Sequence, residues 1–242
     1  HQSGPEPVAR LLSRASEWCE GDGQIAEAID YAFAAKNYPR VASLLISYGT
    51  AIASRGEIET VWSWLSALPE ELVRSSALMS INFCWLEWLR GRMGAIAPHL
   101  ADAERALSEW PAPGATGAED DLYPVMLTQV AILRSIVARY EFDFPTAIAA
   151  AERALGLLPA DLPPEDDAQL RGLAFLALAS ARDGTGDTAS AADAYAETIH
   201  WHRLGRSATG LGITIRFVGL LRLLGRLRRA DEACREALRF AE

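Results

Sequence analysis

The chain has 242 residues, of which half are hydrophobic, 8% are aromatic and 23% are charged, and its formal net charge is −9. This composition is typical of a folded protein with a sizeable core and argues against disorder. The acidic balance opposes contact with phosphate backbones, so we expect no direct nucleic-acid binding, and no apolar run approaches the roughly 20 residues that a membrane helix needs.

In chain order, residues 1–7 are interpreted as a linker or vector-derived remnant, and an amphipathic repeat follows. Each unit has one amphipathic stretch, a break, and a second amphipathic stretch that opens with small residues. The junction recurs at residues 23–28, 56–61, 142–147, 186–191 and 225–230, and a third unit breaks near Gly91 or Gly94. Because Ala28 and Val61 are 33 residues apart, close to the TPR period of about 34, we predict an all-α, TPR-like superhelical solenoid of about six antiparallel helix pairs.

The predicted array has one large interruption. Pairs one to three are expected over residues 8–110 and pairs four to six over residues 122–242, joined by a loop at residues 111–121 that is rich in proline, glycine and acidic residues. We interpret the whole as one continuous array. Runs of alternating β-branched residues, which would predict strands, are nearly absent.

Residues 64–72, WLSALPEEL, resemble the W-L-x-A-L-P-x-E signature of the helical-repeat domain in MalT-like regulators of the LuxR family. Residues 27–38 resemble a second stretch of that domain, and residues 151–159 and 172–181 resemble its fourth and fifth pairs. The resemblance implies a cytoplasmic sensor segment that binds an inducer, a small molecule or a protein, and relays it to ATP-dependent self-assembly. It further implies adjoining ATPase and helix-turn-helix domains, whose motifs this sequence lacks.

Polar residues interrupt the leucine-rich first helices of pairs four to six, and these helices line the concave side of a solenoid, where ligands bind. An arginine there can hold a carboxylate or phosphate with two hydrogen bonds. The alternative is an arginine that is salt-bridged or extended into solvent. The candidate ligand-binding residues are Gln129, Arg134, Arg171, Arg182 and Arg216.

Aromatic residues indicate a second kind of contact. Trp85 and Trp88 share one helix face, and Trp201 and His202 are adjacent near the end of a helix. We predict that these four residues contact a partner, with packing between helix pairs as the alternative. Four arginines in the last pair could meet a following domain or an acidic neighbour, or only solvate the end of the array: Arg222, Arg226, Arg228 and Arg229.

Catalytic and metal signals are weak. Glu197 and His200 have the spacing of a carboxylate-bridged metal helix, but the required second copy is absent. No nucleophile and base form a recognisable set, so we expect no enzyme activity, no metal and no cofactor. The residues between Asp183 and Asp187 are too few for a calcium loop and predict a turn in which Asp187 or Thr188 caps the next helix.

The three cysteines, Cys19, Cys84 and Cys234, are odd in number and form no CxxC pair. This pattern is typical of a reducing cytoplasm, with each thiol filling a small apolar core position. The predicted partners are thus an inducer or protein effector, the adjoining domains and, as a further option, a second copy of the protein. The alternative function is a generic TPR scaffold that binds a peptide along an open groove.

Overall fold

The computed structural model describes residues 5–110, 122–205 and 210–241, and every regular element within these ranges is helical. The predicted all-α class is therefore confirmed. The predicted loop at residues 111–121 lies outside the described residues. In chain order the helices are α1 (Pro5–Gly21), α2 (Ile25–Ala34), α3 (Tyr38–Ser54), α4 (Ile58–Ser66), α5 (Glu70–Ser75), α6 (Ala77–Leu89), α7 (Ile96–Ser108), α8 (Tyr123–Tyr140), α9 (Phe144–Leu157), α10 (Pro164–Gly184), α11 (Thr188–Leu204), α12 (Gly210–Leu223) and α13 (Leu227–Ala241), with a 3-10 turn at Met93–Ala95 before α7.

The chain divides into two compact units, His1–Ala106 and Leu107–Glu242. In the first unit α1 packs on α2 and α3 on α4, and Phe83 of α6 stacks on His99 of α7 at 4.7 Å between ring centroids. In the second unit the pairs are α8 with α9, α10 with α11, and α12 with α13. These contacts give the six expected pairs, to which the described part of the chain adds the short α5 and the 3-10 turn.

A residue in the left-handed region ends the first helix of each pair. Gly23, Gly56, Gly91, Gly186 and Gly225 have φ between 70° and 92°, and Phe142 takes the same place in the fourth pair with φ 62°. At four of these six turns the next residue donates its backbone N–H to the carbonyl five residues earlier, as in Gln24 to Cys19, which satisfies an otherwise unpaired helix-end carbonyl. The third break is therefore at Gly91.

A buried residue follows each left-handed residue after five positions. These residues lie in the first turn of the second helix and are at most 5% exposed: Ala28, Val61, Ile96, Ala147, Ala191 and Ala230. Four of the six are alanine, which lets the two helices of a pair approach closely. The small-residue pattern read from the sequence thus marks the point where the paired helices meet.

Polar side chains begin several helices. Asp143 and Asp187 accept hydrogen bonds from the backbone N–H of Thr146 and Ser190, and these bonds lower the pKa of both aspartates. Asp187 is thus the predicted N-cap of α11.

The cysteine prediction is wrong at one position. Cys19 and Cys84 are buried, but Cys234 is exposed on α13, because it lies beside the face of the helix that buries Ala230 and Ala233. Burial raises the pKa of the Cys84 thiol to about 12. None of the described helices is both long enough and apolar enough to span a bilayer.

Candidate functional site

Ion pairs within the chain hold Arg171, Arg182 and Arg216, which are among the predicted ligand-binding residues. Arg182 of α10 contacts Glu152 of α9 at 3.1 Å. Arg216 of α12 makes two hydrogen bonds to Asp183 of α10, at 2.6 and 2.7 Å, and these bonds raise the pKa of Arg216. Both pairs connect neighbouring helix pairs, and the bonds to Asp183 occupy two of the guanidinium nitrogens of Arg216.

Arg171 of α10 is held in a different way. Its Nε donates to both carboxylate oxygens of Asp167, at 2.7 and 2.8 Å, four residues earlier on the same helix. Its Cζ lies 5.2 Å from the centroid of the Trp201 ring on α11. Among the described residues none accepts a hydrogen bond from its Nη1 or Nη2, and the side chain is partly exposed. The guanidinium is therefore fixed on one edge and one face, and its two terminal amino groups remain available.

Trp201 and His202 add unpaired polar atoms beside Arg171. The indole Nε1 of Trp201 and both ring nitrogens of His202 are buried and have no hydrogen-bond partner among the described residues. His202 is only 5% exposed, and burial lowers its pKa, so the imidazole is neutral at neutral pH. Its Nε2 lies 3.4 Å from where a Cβ on Gly172 would stand, so the glycine leaves room for the ring.

We call Asp167, Arg171, Trp201 and His202 the Arg171 cluster. It joins the beginning of α10, where an acidic first turn places Asp167, to the end of α11. The terminal amino groups of Arg171 can donate to an anionic ligand, and the half-buried indole of Trp201 lies beside them. The arrangement therefore suits a carboxylate or phosphate with an apolar or aromatic body.

From the sequence, Arg171 was predicted to bind a ligand, and Trp201 and His202 were predicted to contact a partner. The structure brings these three residues together. The pairing of Asp167 with Arg171 follows from their four-residue spacing on a helix. The approach of Trp201 could not be read from the sequence, because it depends on how α10 and α11 pack. Gln129 and Arg134 are half-buried on α8, and neither is without a partner.

The tryptophan-rich region lies in the first unit. Trp85 and Trp88 are half-buried and meet edge to face at 5.7 Å between centroids. Beside them, buried Glu87 accepts from Trp62 Nε1 at 3.2 Å, and Arg90 lies 4.1 Å above the Trp62 ring. Sequence reasoning missed this network, which ties α4 to α6. The partner role of Trp85 and Trp88 stays a prediction.

Within the described ranges no three His, Cys, Asp or Glu side chains lie close enough to hold a metal ion.

No protein-family model matches the chain. A segment of 118 residues is 30% identical to serine/threonine-protein kinase PknK from two strains of Mycobacterium tuberculosis, CDC 1551 / Oshkosh and H37Rv. PknK from Mycobacterium bovis AF2122/97 matches equally. The matched segment is 49% of this chain and 11% of each relative, so the similarity concerns a small part of much longer proteins.

Proposed function

We propose that this chain is a TPR-like sensor segment of a LuxR/MalT-type transcriptional regulator and that it binds an anionic inducer at the Arg171 cluster. The helix-pair fold and the resemblance of residues 64–72 support this role. The partial similarity to long kinases is compatible with a segment inside a multi-domain signalling protein. In this role the chain is a binding module and not an enzyme.

One observation carries the proposal: the guanidinium of Arg171 is held in place, while its Nη1 and Nη2 have no acceptor among the described residues. Asp167 and Trp201 hold its guanidinium in one orientation, so little side-chain entropy is lost when a ligand binds. Its Nη1 and Nη2 can then donate to two oxygens of one carboxylate or phosphate. Trp201 offers an apolar face for the rest of the ligand.

The position of the cluster suggests how binding is relayed. Arg171 belongs to α10, while Trp201 and His202 belong to the last turns of α11. A ligand that contacts both helices favours one packing of this pair and so shifts the population of conformers. In the full-length protein this shift would bias the ATPase and helix-turn-helix domains that the family resemblance implies.

Isothermal titration against a panel of dicarboxylates, sugar phosphates and nucleotides tests the proposal. For the compound that saturates, Arg171→Gln should weaken binding by about tenfold or more, because a charge-assisted hydrogen bond is worth about 1.5–3 kcal/mol. Arg55→Gln, which removes an exposed arginine of the first unit, is the matched control and should bind normally.

Failure of the whole panel to saturate at millimolar concentration would reject a small anionic inducer. Binding that is equal in Arg171→Gln and in the unmodified chain would remove the Arg171 cluster from the proposal. Tight binding of an extended peptide that is insensitive to Arg171→Gln would favour the generic TPR scaffold instead.

A further inference from the structure

A cleft of about 220 Å³ opens between α11, α12 and α13. Ile199 of α11 and Phe217 of α12 line it with apolar surface and are only 8% and 7% exposed, so they form its base. The charged residues of the lining are Arg203 of α11 and Arg229, Glu232 and Glu236 of α13. Because the last three are spaced by three and four residues, they lie on one face of α13. We call this site the α11–α13 cleft.

Two of the four charges neutralise each other. Arg203 and Glu236 form an ion pair that joins α11 to α13, with 2.8 Å between the guanidinium nitrogen and the carboxylate oxygen. The side chains of Arg229 and Glu232 have no hydrogen-bond or ion-pair partner among the described residues. The cleft therefore presents one unpaired cation and one unpaired anion beside an apolar base.

The register of the repeats shows that later helices do not cover this side of a second helix. Glu232 and Glu236 follow the left-handed turn before α13 by seven and eleven residues. In α11 the same two positions are Asp193 and Glu197, and both are exposed although α12 and α13 follow. The side chain of Asp193 is 70% exposed even beside Arg226. Further helix pairs stacked on α12 and α13 would therefore leave the cleft open.

We propose that the α11–α13 cleft binds a free α-amino acid with an apolar side chain. The guanidinium of Arg229 donates to the α-carboxylate of the ligand, and the carboxylate of Glu232 accepts from its α-ammonium group. Residues three apart on a helix have Cβ atoms about 5–6 Å apart, so one small molecule reaches both groups.

The size and polarity of the cleft agree with this class of ligand. Its volume is below the about 300–1,000 Å³ of pockets that hold drug-sized molecules, so the ligand is small. A ligand with a single charge would leave either Arg229 or Glu232 without a partner. The apolar side chain of the amino acid contacts Ile199 and Phe217. This site does not depend on the ligand proposed for the Arg171 cluster.

Isothermal titration of the whole chain with L-leucine and L-phenylalanine tests the proposal, and at least one of them should saturate. Isocaproate and hydrocinnamate are the same molecules without the ammonium group, and isoamylamine and phenethylamine are the same molecules without the carboxylate. Each analogue should bind at least about tenfold more weakly than its parent amino acid, because one charge-assisted hydrogen bond is lost.

Variants assign each charge of the ligand to one residue. Arg229→Gln and Glu232→Gln should each weaken the amino acid by about tenfold or more. Arg229→Gln should also abolish the preference for the amino acid over the amine, and Glu232→Gln the preference over the carboxylate analogue. Arg228→Gln and Asp231→Asn change neighbouring exposed residues outside the cleft, so these matched controls should bind like the unmodified chain.

Three results would overturn the proposal. One is that neither amino acid saturates at millimolar concentration. Another is an analogue with a single charge that binds as tightly as the amino acid. The third is binding that survives both Arg229→Gln and Glu232→Gln, or that Arg171→Gln abolishes, because the amino acid would then occupy a different site.

Discussion

Six turns join paired helices in the described ranges. The left-handed residue is glycine in five of them and Phe142 in the sixth. Its φ of 62° forces the Cβ toward the backbone, and its side chain is 79% exposed. We expect Phe142→Gly to raise the free energy of unfolding by about 0.5–1 kcal/mol, because the left-handed conformation costs a non-glycine residue about 1–2 kcal/mol and part of that gain is lost to chain entropy. Urea denaturation measures the difference.

Phe142→Ala separates backbone strain from the aromatic ring. Alanine keeps a Cβ in the left-handed region and loses the edge-to-face contact with Phe144, whose ring centroid is 6.2 Å away. It should therefore be no more stable than the unmodified chain. If alanine stabilises as much as glycine, the ring and not the backbone is the source of strain.

Gly184, at the end of α10, makes room for the ring of Phe144. A Cβ at this position would lie 2.2 Å from the ring, far inside contact distance. Gly184→Ala should therefore cost about 1–3 kcal/mol of unfolding free energy. Gly219→Ala on α12, where a Cβ would meet nothing within 4 Å, should instead stabilise the helix by about 0.5–1 kcal/mol. Thermal and urea unfolding of both variants provide the comparison.

At the residue scale, local conformation was more predictable than side-chain partners. Glycine and small residues at fixed spacing indicated the turns, because few other residues tolerate a positive φ. The partner of Arg216 could not be read in the same way, since Asp183 lies 33 residues earlier and meets it only through packing of neighbouring pairs. For the same reason the exposure of Cys234 was missed.

Two histidines make the packing of individual helices sensitive to pH. Burial lowers the pKa of His202 between α10 and α11, and burial also lowers the pKa of His99, on which Glu87 and Asp102 act in the opposite direction. Because the folded-state pKa values lie below the unfolded value of about 6.5, the unfolded chain binds more protons at mildly acidic pH. The stability that arises from these two neutral, buried histidines is thus fully present above pH 6.5 and is lost as the pH falls below it.

We expect each histidine to contribute a slope of up to about 1.4 kcal/mol per pH unit in the unfolding free energy below pH 6.5. His202→Leu should remove one share of this slope, and His99→Leu should remove the other. Urea denaturation between pH 7.5 and about 5 measures it. A slope unchanged by both substitutions together would show that other groups cause the acid sensitivity.

At the element scale, the sequence predicted the principal helices but not the small additions. Amphipathic spacing indicated all six pairs, with a glycine at five of the six breaks. The helix α5 (Glu70–Ser75) and the 3-10 turn Met93–Ala95 carry too few residues to show a helical period, so they escaped the same reasoning. The Arg171 cluster was foreseen only as separate residues, because no periodicity reports which faces of α10 and α11 meet.

At the scale of the whole molecule, each unit has its own buried core. Ile29, Leu44, Leu65 and Met79 belong to one cluster in the first unit, and Ala138, Ala147 and Ala181 pack together in the second. Repeat proteins are stabilised mainly by contacts between neighbouring repeats. Fragments 1–110 and 111–242 each keep three neighbouring pairs and the buried core of their unit, so we expect each fragment to fold alone. Circular dichroism should show helical spectra and cooperative melting for both.

A fragment cut inside a pair is the control. Residues 141–242 lack α8, so Ala147, Ala151 and Ala154 of α9 lose the helix that covers them. This fragment should unfold at a lower temperature than fragment 111–242. If fragments 1–110 and 111–242 are both unfolded alone, the two units depend on each other for stability.

The left-handed residue that ends each first helix has a consequence for how such a chain can change in length. The distances between successive turns are 33, 35, 51, 44 and 39 residues, yet the buried contact always follows its turn by five. Each turn therefore fixes which face of the following helix is buried. An added or deleted residue in a first helix or connecting loop does not change the buried faces of the helices in the next pair. Insertions and deletions can therefore vary the exposed surface of one pair at a time, because the buried faces of the helices in the other pairs stay the same.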